Sequence, residues 1–416
     1  MLAYADVRPS DTVAGVPVNF TLIPVDDAPD VLAEYAGLVA SDGTVLWERN
    51  GAEHVAMAST TKIMTAVIAI ENFDPNTPVY VTYGAANTEG TSAGLQEGDT
   101  ATMRDMLIGL LVPSGNDAAV CIAENVAGTE FAFVDMMNAK AAALGMKNTH
   151  FANSHGLDDD EHYTTVQDYY LLTRYAMTLP LFREIVAMRE ATIHIGGREE
   201  TFSSTNVLWD YMPDVIGIKT GTEVNAGYCL IAGAARNGVE LYAIIFHSGG
   251  YEDASNAWFR FEDAQTLLEW GFKHYRQVEL INSSQLVGTM GLSDWVDKSV
   301  EVYASHPVTV ATFDYKGSIN QEITLTDWSG AIHQGEKVGS IVWSQNGEIL
   351  ATDDLIAATN EPAPGFFEGL SIWWTRLLGG CSGDAAHQST EILLPNTIDI
   401  STPTPEASTD TPTATG

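Results

Sequence analysis

The order of strand-like and helical segments along the sequence restricts the possible folds most strongly. Strand-like segments occur at two distant places, and a long helical stretch lies between them. Residues 35–50, "YAGLVASDGTVLWERN", alternate on either side of an Asp-Gly pair, which favours a tight β-turn. Residues 215–246 contain three more strand-like runs, and an Asn-Gly pair joins the last two. From 100 to 190 the apolar residues recur with helical periodicity. We therefore predict an α/β (α+β) fold in which N- and C-terminal segments complete one antiparallel sheet around an inserted helical region.

The composition changes along the chain and suggests where domains end. After a helical run near 259–276, short Val/Thr/Ile alternations separated by Gly, Asp and Asn indicate an all-β, sandwich-like domain. The last residues are rich in Ser, Thr and Pro and contain no Lys or Arg, which is typical of a disordered tail. The predicted parts are an irregular lead-in over 1–27, a first domain over 28–276, the β-domain over 277–360, a helix over 365–379 and an acidic tail over 381–416.

The helix predicted near the C-terminus, "GFFEGLSIWWTRLLGG", is amphipathic. Its aromatic and leucine side chains recur at helical spacing, and two adjacent Trp residues are typical of a membrane interface. We predict that it associates with a membrane surface, although a helix packed on the β-domain would show the same pattern. No stretch reaches the roughly 20 apolar residues of a membrane-spanning helix.

The charge of the chain is unusual and excludes several partners. Nineteen basic residues stand against 55 acidic ones, which gives a net charge of −36. Nucleic acid or anionic lipid bound by electrostatic attraction is therefore excluded. Cys121, Cys229 and Cys381 form neither a disulfide framework nor a metal-ligand pattern, and the first two lie in apolar runs typical of buried thiols. No secretory signal is visible in "MLAYADVRPSDT".

A lysine at the start of an apolar helix indicates chemistry. In "MASTTKIMTAVIAI", Lys62 follows Ser59 by three residues, so both side chains lie on one face of the predicted helix. Burial lowers the pKa of an amine, so that Lys62 could accept a proton from Ser59. A helix N-terminus also stabilises the negative charge that develops during acyl transfer. We interpret Ser59 and Lys62 as a nucleophile and its base.

Two further polar sites could complete this pair. In "VPSGNDAAV", Ser114 and Asn116 occupy a loop between two apolar helical runs. In "GIKTGTE", a predicted strand ends with Lys219-Thr220-Gly221. Lys219 supplies a cation, Thr220 a hydroxyl, and Gly221 lets a substrate backbone approach closely. A peptide substrate could then bind along this strand as an added strand.

These three elements, in this order, resemble the penicillin-interacting serine enzymes. Within that group the chain is similar to low-molecular-mass D-alanyl-D-alanine carboxypeptidases of the penicillin-binding protein 5 type (peptidase family S11). The second motif reads Ser-Gly-Asn, as in those enzymes, and "ANSHGLDDDEHYTT", "TNVLWDYMPDVIGIKTGT" and "RFEDAQTLLEWGF" match further. The resemblance is strong over about 28–275. In the β-domain and the amphipathic helix, only the architecture is similar. It implies an extracytoplasmic enzyme without metal or cofactor that removes the terminal D-Ala from peptidoglycan stem peptides and is acylated by β-lactams.

The resemblance also implies roles for individual residues. Ser59 would be acylated, with Lys62 as its proton acceptor. Ser114 would relay protons to the leaving D-alanine, and Asn116 would position Lys62 and the substrate amide.

For the remaining residues, the resemblance implies contacts with the substrate. Lys219 would support the electrostatics of Ser114 and of the substrate carboxylate. Arg260 would bind the terminal carboxylate, a task that suits a guanidinium, although an exposed residue at the start of a helix would fit the same position. The N–H groups of Ser59 and Thr222 would form the oxyanion hole. Many relatives have a histidine at the position of Thr222. The threonine can still supply the backbone N–H group, but the role of its side chain stays open.

Three other functions compete with the carboxypeptidase. A metal enzyme could use the cluster of His150, His155 and His162 with its neighbouring acids, but "SHGLDDDEHY" lacks a helical His-x-x-x-His pair. A serine β-lactamase would share the acylation residues, but no equivalent of its deacylating glutamate is evident. A non-catalytic wall-binding protein would not need the complete set of nucleophile, base and strand motif.

Overall fold

One antiparallel sheet joins the two ends of the first unit of the chain. The computed structural model describes residues 8–18, 27–249, 254–379 and 389–401. The chain divides into two units, Met1–His274 and Tyr275–Gly416. The first unit contains a seven-stranded sheet with the order β2-β1-β4-β3-β11-β10-β9. Its strands are β1 (Thr12–Val13), β2 (Val16–Pro17), β3 (Tyr35–Ala40), β4 (Val45–Arg49), β9 (Val215–Glu223), β10 (Gly227–Arg236) and β11 (Val239–Phe246).

The fold class is confirmed, together with both predicted hairpin turns. Gly43, in the turn between β3 and β4, has a φ of 98°. Asn237 and Gly238 alone separate β10 from β11, and both have the positive φ that a two-residue hairpin requires. The sheet is thus assembled from local hairpins at each end of the unit, and β9 lies at its edge.

Helices fill the sequence between the two groups of strands. Helix α1 is buried along most of its length. The helices of this unit are α1 (Lys62–Asn72), α2 (Tyr83–Ala86), α3 (Met103–Leu111), α4 (Asn116–Ala127), α5 (Glu130–Leu144), α6 (Val166–Thr178), α7 (Pro180–Val186) and α8 (Phe259–His274). Two separate hairpins accompany them, β5 (Pro78–Tyr80) with β6 (Thr100–Thr102) and β7 (Glu190–Ile195) with β8 (Arg198–Ser203).

Helices cover both faces of the sheet. The Tyr170 ring of α6 lies where a side chain at Gly37 of β3 would be, whereas the neighbouring Leu38 lies against Gly271 of α8. Successive residues of a strand point to opposite faces. Helices α6 and α8 therefore cover opposite faces of the sheet, and Gly37 allows Tyr170 to approach it closely.

The prediction of an irregular lead-in over 1–27 was wrong for the described residues 12–17. They form β1 and β2, which extend the sheet beyond β4. Asp11 is buried and forms a two-pronged ion pair with buried Arg49, at 2.7 Å to Nε and 2.8 Å to Nη2. Burial of two charges is tolerated when they are paired and hydrogen-bonded. The lead-in is therefore part of the first unit.

The second unit is the predicted all-β domain. Strand β12 (Tyr275–Ile281) pairs with β15 (Val308–Phe313). A seven-stranded sheet has the order β19-β13-β14-β18-β17-β16-β20. Its strands are β13 (Leu286–Gly291), β14 (Ser299–Ala304), β16 (Ile319–Leu325), β17 (Lys337–Gln345), β18 (Glu348–Ala357), β19 (Glu391–Ile392) and β20 (Thr397–Ile398).

The prediction of a disordered tail over 381–416 was wrong for residues 389–401. This segment pairs with β13 through β19 and with β16 through β20, so that it joins the two edges of the sheet. Ile400 is buried, and the Gln321 side chain donates to the Pro395 carbonyl at 2.8 Å. Residues 381–388 and 402–416 lie outside the described part of the chain.

Helix α9 (Phe366–Gly379) forms where an amphipathic helix was predicted. Ile372 packs on the β-domain core, and Arg376 donates to the carbonyls of Ser293 and Trp295 at 2.5 and 3.2 Å. The other large apolar side chains are exposed: Phe366, Phe367, Leu370, Trp373, Trp374, Leu377 and Leu378. Among the described residues, no helix combines the length and the apolar character needed to cross a bilayer.

Candidate active site

A short 3-10 turn, Ala58–Thr61, presents Ser59 at the start of α1. The threonine hydroxyls stabilise the turn, since Thr60 donates to the Met57 carbonyl at 2.6 Å and Thr61 to the Ala58 carbonyl at 2.8 Å. Ala58 has a φ of 47°, a strained value for a residue with a side chain. Ser59 is half-buried, whereas its neighbours Thr60 and Thr61 are buried. The turn therefore exposes one hydroxyl in an otherwise closed segment.

Lys62 is fully buried and holds three acceptors from three separate segments. Its Nζ lies 2.7 Å from the Ser59 Oγ, 2.6 Å from the Asn116 Oδ1 and 2.6 Å from the His155 carbonyl oxygen. Three acceptors match the three N–H groups of an ammonium. The predicted pairing of Ser59 with Lys62 is thus present in the structure.

The surroundings of Lys62 determine its protonation. Burial lowers the pKa of Lys62 to about 7, although the negative charges of Glu223 and Asp117 oppose the shift. A substantial fraction of the amine is therefore neutral near pH 7. A neutral amine 2.7 Å from a hydroxyl can take its proton.

The loop that carries the His155 carbonyl was missed as part of the site. A side chain at Gly156, where φ is 97°, would overlap the Ala58 carbonyl and approach the Ser59 nitrogen to 2.9 Å. Gly156 therefore permits the loop to lie directly against the turn of the nucleophile. The sequence offers a weak signal here, because a glycine follows the histidine of "SHGLDD".

Ser114 and Asn116 lie where α3 gives way to α4, as the sequence predicted. Asn116 is buried; its amide nitrogen donates to the Glu89 carbonyl at 2.8 Å, which leaves the oxygen for Lys62. Ser114 is buried and has a φ of 70°. Among the described contacts, its hydroxyl forms no hydrogen bond with Lys62 or Lys219.

Asp117 organises the same region and was not predicted. Its carboxylate accepts hydrogen bonds from the Ser92 hydroxyl at 2.6 Å and from the backbone N–H groups of Ala93 and Leu95 at 2.8 and 3.1 Å. Asp117 thus fastens the loop before β6 to the N-terminus of α4, where a negative charge is favourable.

Strand β9 brings Lys219, Thr220 and Gly221 to the edge of the sheet. A Cβ at Gly221 would lie 3.1 Å from the Ser59 nitrogen and 3.2 Å from the Thr60 nitrogen. This close approach explains the glycine. The Thr220 hydroxyl lies 2.5 Å from the Thr205 hydroxyl. Burial lowers the pKa of Lys219, and the positive charges of Lys62 and Arg260 lower it further.

Arg260, on α8, lies at the end of β9. Its Nη1 donates to the Gly221 carbonyl at 3.0 Å and to the Thr222 hydroxyl at 2.9 Å. Its Nε is buried and has no hydrogen-bond partner in the described part of the chain. The structure thus brings together eight of the nine predicted site residues: Ser59, Lys62, Asn116, Lys219, Thr220, Gly221, Thr222 and Arg260. Ser114 lies two residues before Asn116, and no described contact joins its side chain to the other eight.

The histidines of the competing metal site have structural roles. His162 Nδ1 accepts from the Ala152 N–H at 3.0 Å, and its Nε2 lies 2.7 Å from the Thr61 hydroxyl. Burial lowers the pKa of His162 to about 3 and that of His155 to about 4. No group of three or more His, Cys, Asp or Glu side chains with the arrangement of a metal site occurs in the described ranges.

Comparison with known proteins identifies the family. The D-alanyl-D-alanine carboxypeptidase (Peptidase S11) family profile matches residues 25–249, and that of the penicillin-binding protein 5 C-terminal domain matches residues 275–363. The chain belongs to the D-alanyl-D-alanine carboxypeptidase family. The resemblance seen in the sequence is therefore confirmed. The protein is a serine-type D-alanyl-D-alanine carboxypeptidase, a reading that the family supports over β-lactamase and over a non-catalytic binding protein.

Individual relatives agree with this assignment. D-alanyl-D-alanine carboxypeptidase DacF of Bacillus subtilis is 31% identical over 348 residues, which cover 80% of this chain and 87% of that protein. Penicillin binding protein 6B from Escherichia coli has a similar structure, with a TM-score of 0.60, 27% identity, and coverage of 79% of this chain and 96% of that one. The Streptomyces K15 DD-transpeptidase also has a similar structure, with a TM-score of 0.55 and 29% identity. The match covers 59% of this chain and 98% of that one.

We predict that Gly156→Ala lowers the rate of acylation by penicillin about 100-fold, because the new methyl group would displace the Ser59 turn. Gly128→Ala is the matched control: Gly128 also has a positive φ of 81°, but open space surrounds it. Backbone strain should cost each variant about 1 kcal/mol of stability, and the overlap with the Ala58 carbonyl should destabilise Gly156→Ala further. Labelling with a fluorescent penicillin, beside thermal unfolding, measures both effects. Equal labelling rates for the two variants would contradict the steric role of Gly156.

Proposed function

We propose that Ser59 attacks the carbonyl of the penultimate D-Ala of a peptidoglycan stem peptide and that Lys62 accepts the proton of its hydroxyl. The observation that carries this proposal is the 2.7 Å contact between Lys62 Nζ and Ser59 Oγ, with the pKa of Lys62 lowered by burial to about 7. A buried amine of this kind activates a serine without a histidine. β-Lactams would acylate the same oxygen.

The proposed reaction has two steps. In the first, the Ser59 Oγ–carbon bond forms, the bond to the terminal D-Ala nitrogen breaks, and the proton held by Lys62 passes through Ser114 to the leaving amine. In the second, water attacks the acyl-serine carbonyl and gives a proton to Lys62. The bond between the carbonyl carbon and the Ser59 Oγ then breaks, the proton passes to that oxygen, and the shortened peptide leaves with a free carboxyl group. The N–H groups of Ser59 and Thr222 would stabilise the oxyanion in both steps. Such a donor contributes about 3–4 kcal/mol in other enzymes.

The edge position of β9 supports the proposed mode of substrate binding. An extended peptide can add to a free strand edge through backbone hydrogen bonds. The terminal carboxylate would lie toward Lys219, Thr220 and Arg260, whose Nε has no partner in the described residues. Asn116 would hold the substrate amide while it orients Lys62.

We expect the wild-type protein to release D-Ala from Nα,Nε-diacetyl-Lys-D-Ala-D-Ala, and Ser59→Ala to release at least about 1,000-fold less, because the nucleophile is lost. Ser344→Ala is the control, since Ser344 also begins a Ser-x-Asn sequence but lies in the second unit. Enzymatic quantification of free D-Ala measures the activity. Release that survives Ser59→Ala would contradict the serine mechanism.

We predict that the second-order rate of penicillin acylation rises with pH through about 7 and is constant above it. Only the neutral amine accepts the proton of Ser59, so protonation of Lys62 below its pKa removes the base. The rate at pH 5 should be roughly 100-fold below the plateau, by titration of one group with that pKa. Stopped-flow measurement of acylation between pH 5 and 9 tests this. A flat profile would contradict the role of Lys62 as the base.

We also propose that the enzyme acts outside the cytoplasmic membrane and binds its outer face through α9. Peptidoglycan substrates support the location. The seven exposed apolar side chains of α9 support the membrane contact, since aromatic residues favour the interface. Arg376 and Ile372 keep the opposite side of α9 on the β-domain.

We expect the protein to sediment with phosphatidylcholine vesicles, and Trp373→Ser/Trp374→Ser to lose at least about tenfold in affinity, because two aromatic anchors are removed. Tyr80→Ser/Tyr83→Ser is the control, since both tyrosines are exposed but lie in the first unit. Anionic lipid should not improve binding, since the chain has a net charge of −36. Equal sedimentation of the two double variants would contradict the role of α9.

A further inference from the structure

Glu223 occupies a position on β9 that faces the nucleophile. Successive residues of a strand alternate between its faces, so Lys219, Gly221 and Glu223 share one face. Gly221 is turned toward the Ser59 nitrogen, and Lys219 is close enough to Lys62 for the two charges to interact. Glu223 interacts electrostatically with Lys62 as well. Glu223 therefore lies on the face of β9 that is turned toward Ser59.

A second segment of the chain lies beside Glu223. Asp158 follows the loop that lies against Ser59, and its Oδ2 accepts the N–H of Asn225 at 2.9 Å. This bond fastens the loop to the turn after β9. The carboxylate of Asp158 is near enough to interact unfavourably with that of Glu223. Two acids from different segments thus lie near each other at the end of β9.

Glu223 is half-buried, and in the described part of the chain no ion-pair partner is found for it. Burial raises the pKa of Glu223, and the charge of Asp158 raises it further, while Lys62 acts in the opposite direction. A partly desolvated carboxylate without a counter-ion is unfavourable. A cation bound beside Glu223 would offset both the cost of desolvating its carboxylate and the repulsion from Asp158.

The direction of the bound peptide places a particular substrate residue beside Glu223. This step rests on the proposed function, in which the scissile carbonyl lies at the N–H groups of Ser59 and Thr222 and the terminal carboxylate lies toward Lys219. The remainder of the peptide must then run past Thr222 toward the end of β9. One residue of an extended chain advances about 3.4 Å. The residue before D-Ala-D-Ala therefore lies level with Glu223.

We propose that Glu223 is a specificity-determining residue that binds a free ammonium group on the side chain of the residue preceding D-Ala-D-Ala. Asp158 adds to the negative potential at that point. The enzyme thus favours stem peptides with an unacylated diamino acid at this position over peptides whose side-chain amine is blocked or already cross-linked.

Two peptides that differ in one charge test this proposal: Nα-acetyl-Lys-D-Ala-D-Ala, with a free ammonium group, and its Nα,Nε-diacetyl form. We expect the wild-type kcat/KM to be about fivefold higher for the free amine, the size of a partly exposed ion pair. Raising the ionic strength to about 1 M should reduce the preference. Equal kcat/KM values for the two peptides would overturn the proposal and leave the carboxypeptidase function intact.

Glu223→Gln should bring the ratio of the two kcat/KM values close to one. The ratio is the informative quantity, because any change that acts through the pKa of Lys62 affects both peptides equally. Asp160→Asn is the matched control, since Asp160 is an exposed acid of the neighbouring loop and its loss should preserve the wild-type ratio. Penicillin labelling verifies that each variant is folded.

Each outcome separates this inference from the function on which it rests. A wild-type ratio retained by Glu223→Gln would overturn the role of Glu223. If Asp160→Asn lowered the ratio as much as Glu223→Gln, the preference would come from the general negative charge of the protein. That result would also overturn the role of Glu223. No D-Ala release from either peptide by the wild-type protein would overturn the proposed function itself.

Discussion

The buried ammonium of Lys62 imposes the arrangement of the first unit. An amine within an apolar helix needs oxygen acceptors, and Lys62 obtains them from Ser59, Asn116 and the His155 carbonyl. These acceptors belong to the turn before α1, the start of α4 and a loop between α5 and α6. Satisfying one side chain therefore requires three distant segments to meet. The same contacts that make the burial tolerable place an amine of lowered pKa beside the Ser59 hydroxyl.

The sheet supplies the second half of the site. Its edge strand β9 approaches the Ser59 turn closely at Gly221, where a larger side chain would press on the Ser59 and Thr60 nitrogens. Gly156 permits an even closer approach to the same turn, since a Cβ at this position would lie 2.0 Å from the Ala58 carbonyl oxygen. Two backbone segments thus lie close to the Ser59 turn. Glu223, at the end of β9, interacts electrostatically with Lys62.

The residues that were predicted and those that were missed differ in how they act. Ser59, Lys62 and Lys219 act through functional side chains at characteristic spacing, so the sequence reveals them. His155 contributes a carbonyl oxygen, which any residue could provide, so the only sequence signal is the weak one of the glycine that follows it. Asp117 acts by accepting backbone N–H groups of a loop that is remote in sequence. Strands of two residues, as in β1 and β19, are too short to show alternation, so the lead-in and the tail were taken for irregular chain.

The sequence by itself determined the local elements, the division into an α/β unit and an all-β unit, and the chemical types present in the site. Periodicity and turn preference are properties of neighbouring residues, and both hairpins formed where Asp-Gly and Asn-Gly predicted them. Tertiary structure alone decided the three acceptors around Lys62, the lowering of its pKa and the electrostatic effect of Glu223 on Lys62. Burial and distance between remote segments create these properties, and neither exists until the chain has folded.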